Sequence, residues 1–268
     1  MKRKRTKKIK IMVLVSFSFF ILFLSSSYAL LSSDLNVEAV ATISYSGPKG
    51  GDYIIDSVGE GVGGLQDSGS GDGSLVFNGT TSDAVTNFIQ IPNDGVLWRI
   101  VSIDADKNLK IVRDFDSSLS SVYGNSDWAS STILQSLNNF YQQNLSGISD
   151  LIVQNPTWEL TSSSNSNATK TTNIGFYSSS PIGLLRNDEI AASGDVANSG
   201  KTTSWVNEGN CWTMTIINSS KGWMVQGGKF SNSKLTSSAN YRPVIYLKSS
   251  VLFSSGDGTV GSPFVVKY

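Results

Sequence analysis

One stretch of this chain cannot share a water-soluble core with the rest of it. Lys2, Arg3, Lys4, Arg5, Lys7, Lys8 and Lys10 are followed by an uncharged run from Ile11 to Leu24 that continues through Ser25, Tyr28 and Ala29 to Leu31. A basic block before an apolar run is the pattern of an export signal, and roughly 20 uncharged residues is also what a helix needs to span a bilayer. Residues 1–31 are therefore expected to be a signal peptide or an uncleaved membrane anchor. Ser27 and Ala29 carry the small-residue spacing of a cleavage site, as do Ala39 and Ala41 farther from the run. In either case the cations stay on the cytoplasmic side. The rest of the chain is expected outside the cell, secreted or held on the cytoplasmic membrane with its C-terminus outside.

The overall charge of zero hides an asymmetry, because all 21 carboxylates lie at or beyond Asp34. From there on, 14 cations face 21 carboxylates, a net charge of −7. Such a surface argues against nucleic acid, whose phosphates call for clustered Lys and Arg, and the membrane is expected as a partner only through the N-terminal segment. The single cysteine, Cys211, forbids an internal disulfide, so stability has to come from packing. The chain has no histidine. That removes Ser-His-Asp and Cys-His catalysis, histidine-ligated metals and the usual general base near neutrality. No catalytic residue, cofactor or metal ligand is expected, and if there were catalysis its best residues would be Cys211 and nearby carboxylates such as Glu208.

Residues 32–74 read as a lead-in or linker, rich in Ser, Gly and Asp, with Leu35 to Tyr45 and Tyr53-Ile54-Ile55 as its apolar pieces. From Leu75 to Tyr268 short strand-like runs alternate with turn signals. Val96 to Ile103 and Leu109 to Arg113 read as a hairpin. Asp104, Asp106 and Asn108 between them have calcium-loop spacing, but Leu109 and Phe115 occupy the positions that require glycine and glutamate, so a turn is expected. Ile133, Leu134, Leu137, Phe140, Tyr141 and Leu145 recur at helical spacing after Ser130 or Ser131, which predicts the main helix. Thr161 to Thr172 reads as an exposed loop, and Asn187 or Asp188 as the cap of a short helix. Strands are expected at Ile182 to Arg186, Trp212 to Ile217, Gly222 to Gln226, Pro243 to Lys248 and Phe264 to Val266.

In order, Trp98-Arg99-Ile100-Val101, Leu137-Asn138-Asn139-Phe140-Tyr141, Ile182-Gly183-Leu184-Leu185 with Asp188-Glu189, Ser204-Trp205, Trp212-Thr213-Met214-Thr215 and Arg242 to Lys248 resemble a known family. Residues 75–268 look like the C-type-lectin-like domains of bacterial surface proteins related to the formylglycine-generating enzyme. The resemblance implies an α+β fold with a small antiparallel sheet, one main helix and long loops, following the N-terminal hydrophobic helix. Two departures bear on function. Cys211 lacks the second cysteine of the catalytic members, and the sugar-binding motifs of the calcium-dependent lectins are missing; Pro92-Asn93-Asp94 is similar to one, but Ile91 stands where a carboxylate or amide is required.

Export, an acidic exterior and the lack of a catalytic set favour a non-catalytic binding module whose ligand is an extracellular glycan or protein. The alternative is a structural component of the envelope or of a surface appendage, and an enzyme comes third. Exposed aromatic rings among Ser, Asn and Gly would form the binding face. Trp205 and Trp223 are the candidates, with burial in the core as the competing expectation for both, and Trp98 and Trp212 are expected in the core.

Overall fold

The structure, a computed structural model, describes residues 49–79, 85–164, 170–194 and 204–268. The N-terminal segment 1–31 and the strand expected over Leu35 to Tyr45 lie outside the described residues. Among the described residues no helix is long and apolar enough to cross a membrane.

The strands in chain order are β1 (Leu65–Asp67), β2 (Leu75–Phe77), β3 (Phe88–Gln90), β4 (Trp98–Ile103), β5 (Leu109–Arg113) and β6 (Ser120–Val122). There follow β7 (Trp158–Ser162), β8 (Thr172–Tyr177), β9 (Ile182–Gly183), β10 (Asn210–Asn218) and β11 (Lys221–Gln226). The chain ends with β12 (Lys229–Lys234), β13 (Ser238–Asn240), β14 (Val244–Leu247), β15 (Leu252–Ser255) and β16 (Phe264–Lys267). The α-helices are α1 (Gly50–Val58), α2 (Thr132–Asn144) and α3 (Asn187–Ala192).

This corrects the expected α+β class. The described residues form two mixed sheets with 16 strands and only short helices, a β-rich fold. The first sheet runs β15-β16-β3-β4-β5-β14-β9, with β2 sharing one edge of β4 with β3 and β1 paired to β2. The second runs β12-β11-β10-β13-β6, with β7 on β10 and β8 outside β7. Several of these strands are three residues long, which is too short to show a period of two. Thr161, expected in an exposed loop, instead lies in β7 with its hydroxyl buried 2.9 Å from that of Thr215.

The hairpin of β4 and β5 and the strand β14 form the middle of the first sheet, where Ile100, Ile103, Leu109, Ile111, Val244 and Ile245 are fully buried. Arg99 shares this interior because its charge is accommodated on three sides. Its guanidinium lies 3.9 Å from the Phe88 ring centre and 4.5 Å from that of Trp205, and its Nε donates to Asn87 Oδ1 at 2.7 Å. Helix α2 starts at Ser131, whose hydroxyl accepts the Leu134 N–H, and its apolar stripe is buried as its spacing predicts.

The lead-in is structured beyond what its glycines suggest. Helix α1 buries Ile54 completely, and Leu65 of β1 joins the same core. Gly50 and Gly51 donate their N–H groups to Val251 and Lys107 carbonyls, both at 2.9 Å. A Cβ on Gly51 would lie 2.4 Å from Ile103 Cγ2 and 2.9 Å from the Lys107 oxygen, so glycine here permits close docking rather than mobility. Ile54→Ala is accordingly expected to lower the unfolding free energy by about 2–5 kcal/mol. Urea denaturation measures this, and a midpoint equal to that of the parent would detach the lead-in from the core.

Candidate functional site

The structure buries both candidate tryptophans. Trp205 is 2% and Trp223 4% exposed, and their indole N–H groups donate to the Phe77 and Ser163 carbonyls at 3.0 and 2.8 Å. A buried indole whose N–H is bonded to backbone offers no ring face to a ligand. Trp98 and Trp212 are buried as well, and among the described residues the large exposed aromatics are Phe176 and Tyr268.

What the structure assembles instead is a cleft of about 400 Å³ along the polar side of α2. Ser136, Asn139 and Gln143 follow one another at steps of three and four residues beside the apolar stripe and, with Asn144, form one wall. The floor is built around Arg113, the last residue of β5. Its Nε and Nη2 donate to the two oxygens of buried Asp94 at 2.8 and 3.2 Å, and its Nη1 donates to Asp116 at 2.9 Å. Asp94 also accepts the Trp98 indole N–H at 2.9 Å. Burial alone would lower the Arg113 pKa, but the two carboxylates outweigh it and hold the guanidinium above its ordinary value. The Asp116 carboxyl is lowered to about 2 by the Ser118 hydroxyl, by Arg113 and by the Ser118 N–H.

Tyr241 closes the cleft. It is 94% buried, since its relative exposure is 6%, and burial pushes its phenol up against the pull of Arg113. Its hydroxyl makes no hydrogen bond among the described residues and is not sealed from solvent, and the residue lines the cleft. The Asn139 and Gln143 amides stand exposed beside it with no internal partner. Nothing in the sequence singled out Gln143, and Asn139 stood out only within the run Leu137 to Tyr141. Asp94, set aside as part of a turn, and Tyr241 carried no local signal.

A second cleft of about 400 Å³ lies between the β1–β2 loop and α3. The cations beside it are already held by carboxylates. Lys110 is paired with Glu189, and Arg186 with Glu159 and with Asp188 at 2.8 Å, while Glu189 accepts the Arg186 N–H at 2.8 Å and so closes the start of α3. Burial would lower the Lys110 pKa, but Glu189 and Tyr246 raise it overall; burial would raise that of Glu189, but Lys110 and Arg186 bring it down. Burial and the neighbouring Glu189 hold Asp188 above its ordinary range. Asp104 accepts from the Asn108 N–H and amide, which makes the hairpin loop a turn.

Cys211 is buried in β10 with its Sγ 3.5 Å from the Glu208 carbonyl. Burial pushes its thiol up to about 11, despite the opposing charge of Arg242. Arg242 is itself bonded to the Val206 and Arg113 carbonyls and to Asp114. Among the described residues no group of three or more His, Cys, Asp or Glu side chains could hold a metal ion. No family model, curated protein or solved structure matches the chain, so nothing there identifies a C-type-lectin-like domain.

Two measurements check these environments. Glu189→Gln would leave the Lys110 ammonium buried without its counter-charge and is expected to cost about 3–5 kcal/mol in urea denaturation at pH 7. The folded pKa of Glu189 lies below its unfolded value, so its contribution is present above about pH 4.3 and lost as the pH falls through the folded pKa. The variant should therefore also lose that part of the acid-side decline. Cys211 should react with a thiol reagent at pH 7 far more slowly in the folded chain than in urea, and equal rates would contradict its burial.

Proposed function

We propose that the chain is an exported, non-catalytic binding module that takes an extracellular glycan in the cleft between α2 and the Arg113–Asp116 pair. The observation that carries this reading is the Tyr241 hydroxyl, which has no partner among the described residues and belongs to a residue that lines the cleft. Sugars present hydroxyl groups that both donate and accept, and the phenol and the two amides can meet either role. In the second cleft a ligand that recruits Lys110 or Arg186 would have to break existing ion pairs, which is why it is not the preferred site. Export rests on the seven N-terminal cations and the uncharged run that follows them.

The full chain, purified in mild detergent, is expected to bind a subset of an immobilised glycan array. Tyr241→Phe should weaken that binding about 2- to 10-fold, the value of one hydrogen bond, while leaving the urea midpoint unchanged. Retention of full affinity by the variant, or no glycan bound by the parent chain, would remove the cleft from consideration.

A further inference from the structure

The glycan reading of this cleft leaves open the charge of the sugar, and the geometry around Asp116 bears on it. Among the described residues lining the cleft, Arg113 is the one cation. Its charge is already matched by Asp94, which takes two of its N–H groups in a buried fork with side-chain exposures of 8% and 6%. Asp116 is therefore a second carboxylate on a single guanidinium, and the group of three carries one excess negative charge. That excess faces the opening, because Asp116 is the most exposed of the three at 28%.

The hydrogen bonds of Asp116 point the same way. An ionised carboxylate has about four acceptor sites, and three are taken, by Arg113 Nη1 at 2.9 Å, the Ser118 N–H at 2.9 Å and the Ser118 hydroxyl at 2.6 Å. One site is left, on a group held in place by its other three partners. Any anionic substituent entering here meets a fixed negative charge with no free cation to answer it. A protonated amine meets a charge-assisted acceptor that is already oriented.

Resting on the glycan reading, we propose that Asp116 makes the cleft select sugars that carry a protonated amine over their N-acetylated forms, and exclude sugars that carry a carboxylate, sulfate or phosphate. The role of Asp116 is to determine specificity, and Tyr241 and the α2 amides hold the sugar itself.

The test uses the full chain in mild detergent and an array that presents the same sugar backbones as free amine, as N-acetyl and as uronic acid. The parent chain should bind the amine forms about 3- to 5-fold more tightly than the N-acetyl forms, the scale of a partly exposed ion pair. The uronic acids should bind most weakly. Asp116→Asn should bring amine and N-acetyl forms to equal affinity and raise the uronic acids. If that variant does not fold, the parent chain still decides the matter. Raising the ionic strength should shrink its amine preference while leaving N-acetyl binding unchanged. Equal binding of all three forms, or a preference for uronic acids, would overturn the charge selection while leaving the glycan reading intact. Binding of none would overturn both.

Discussion

The burial of Arg113 is the constraint on which the arrangement depends. A guanidinium taken out of water costs several kcal/mol unless its donors are met and its charge is paired. Three separate parts of the chain converge to meet that requirement. The turn before β4 supplies Asp94, the loop after β5 supplies Asp116, and α2 lays the Phe140 ring 5.3 Å away, while Pro243 accepts the residue's backbone N–H. The Arg113 carbonyl in turn receives the Nε of Arg242, whose guanidinium reaches on to Val206. One cation thus fixes the position of the helix, the hairpin and the approach to β14 together. The cleft is the space these elements leave on the side facing water.

How far the sequence could be read follows from the range of the forces involved. Helix α2 was legible because its stripe repeats within one segment and Ser131 caps it locally. The β4–β5 hairpin was legible for the same reason, with a turn of Asp and Asn between two apolar runs. The β-rich class was not, because β6 and β13 are three residues each and their pairing, Ser238 with Val122, joins distant parts of the chain. The burial of Trp205 and Trp223 was equally hidden. Their surroundings in sequence are polar, and the carbonyls that satisfy them belong to Phe77 and Ser163. Glycine was ambiguous in principle: Gly51 looks the same whether it loosens a tether or lets a helix approach Lys107.

Of the candidate site, one wall could be read and the rest could not. Asn139 and Gln143 sit where helical spacing puts them, on the polar side. Tyr241 reaches them from the other end of the domain, and Asp94 finds Arg113 across the sheet. The two clefts, of similar volume, also show why polarity alone does not mark a site. Around Lys110 and Glu189 each cation is held by carboxylates, and the pair ties α3 to the sheet. Beside α2, polar groups face the opening with acceptor and donor capacity still unfilled.

The position of β16 has a consequence for the order in which this fold can form. Phe264 pairs in parallel with Ile89, and β16 stands between β15 and β3 in the first sheet. The earliest-made strand of that pair therefore waits, with one edge unmatched, for almost the last residues of the chain. Contacts between such distant positions are slow to close because the intervening loop must be ordered first. Until then β3 presents an open strand edge bearing buried-type side chains, the feature that leads unfinished β-proteins to associate wrongly. Loss of Phe264 to Lys267 would leave β3 with an open edge and β15 without its partner, which separates β15 from the sheet.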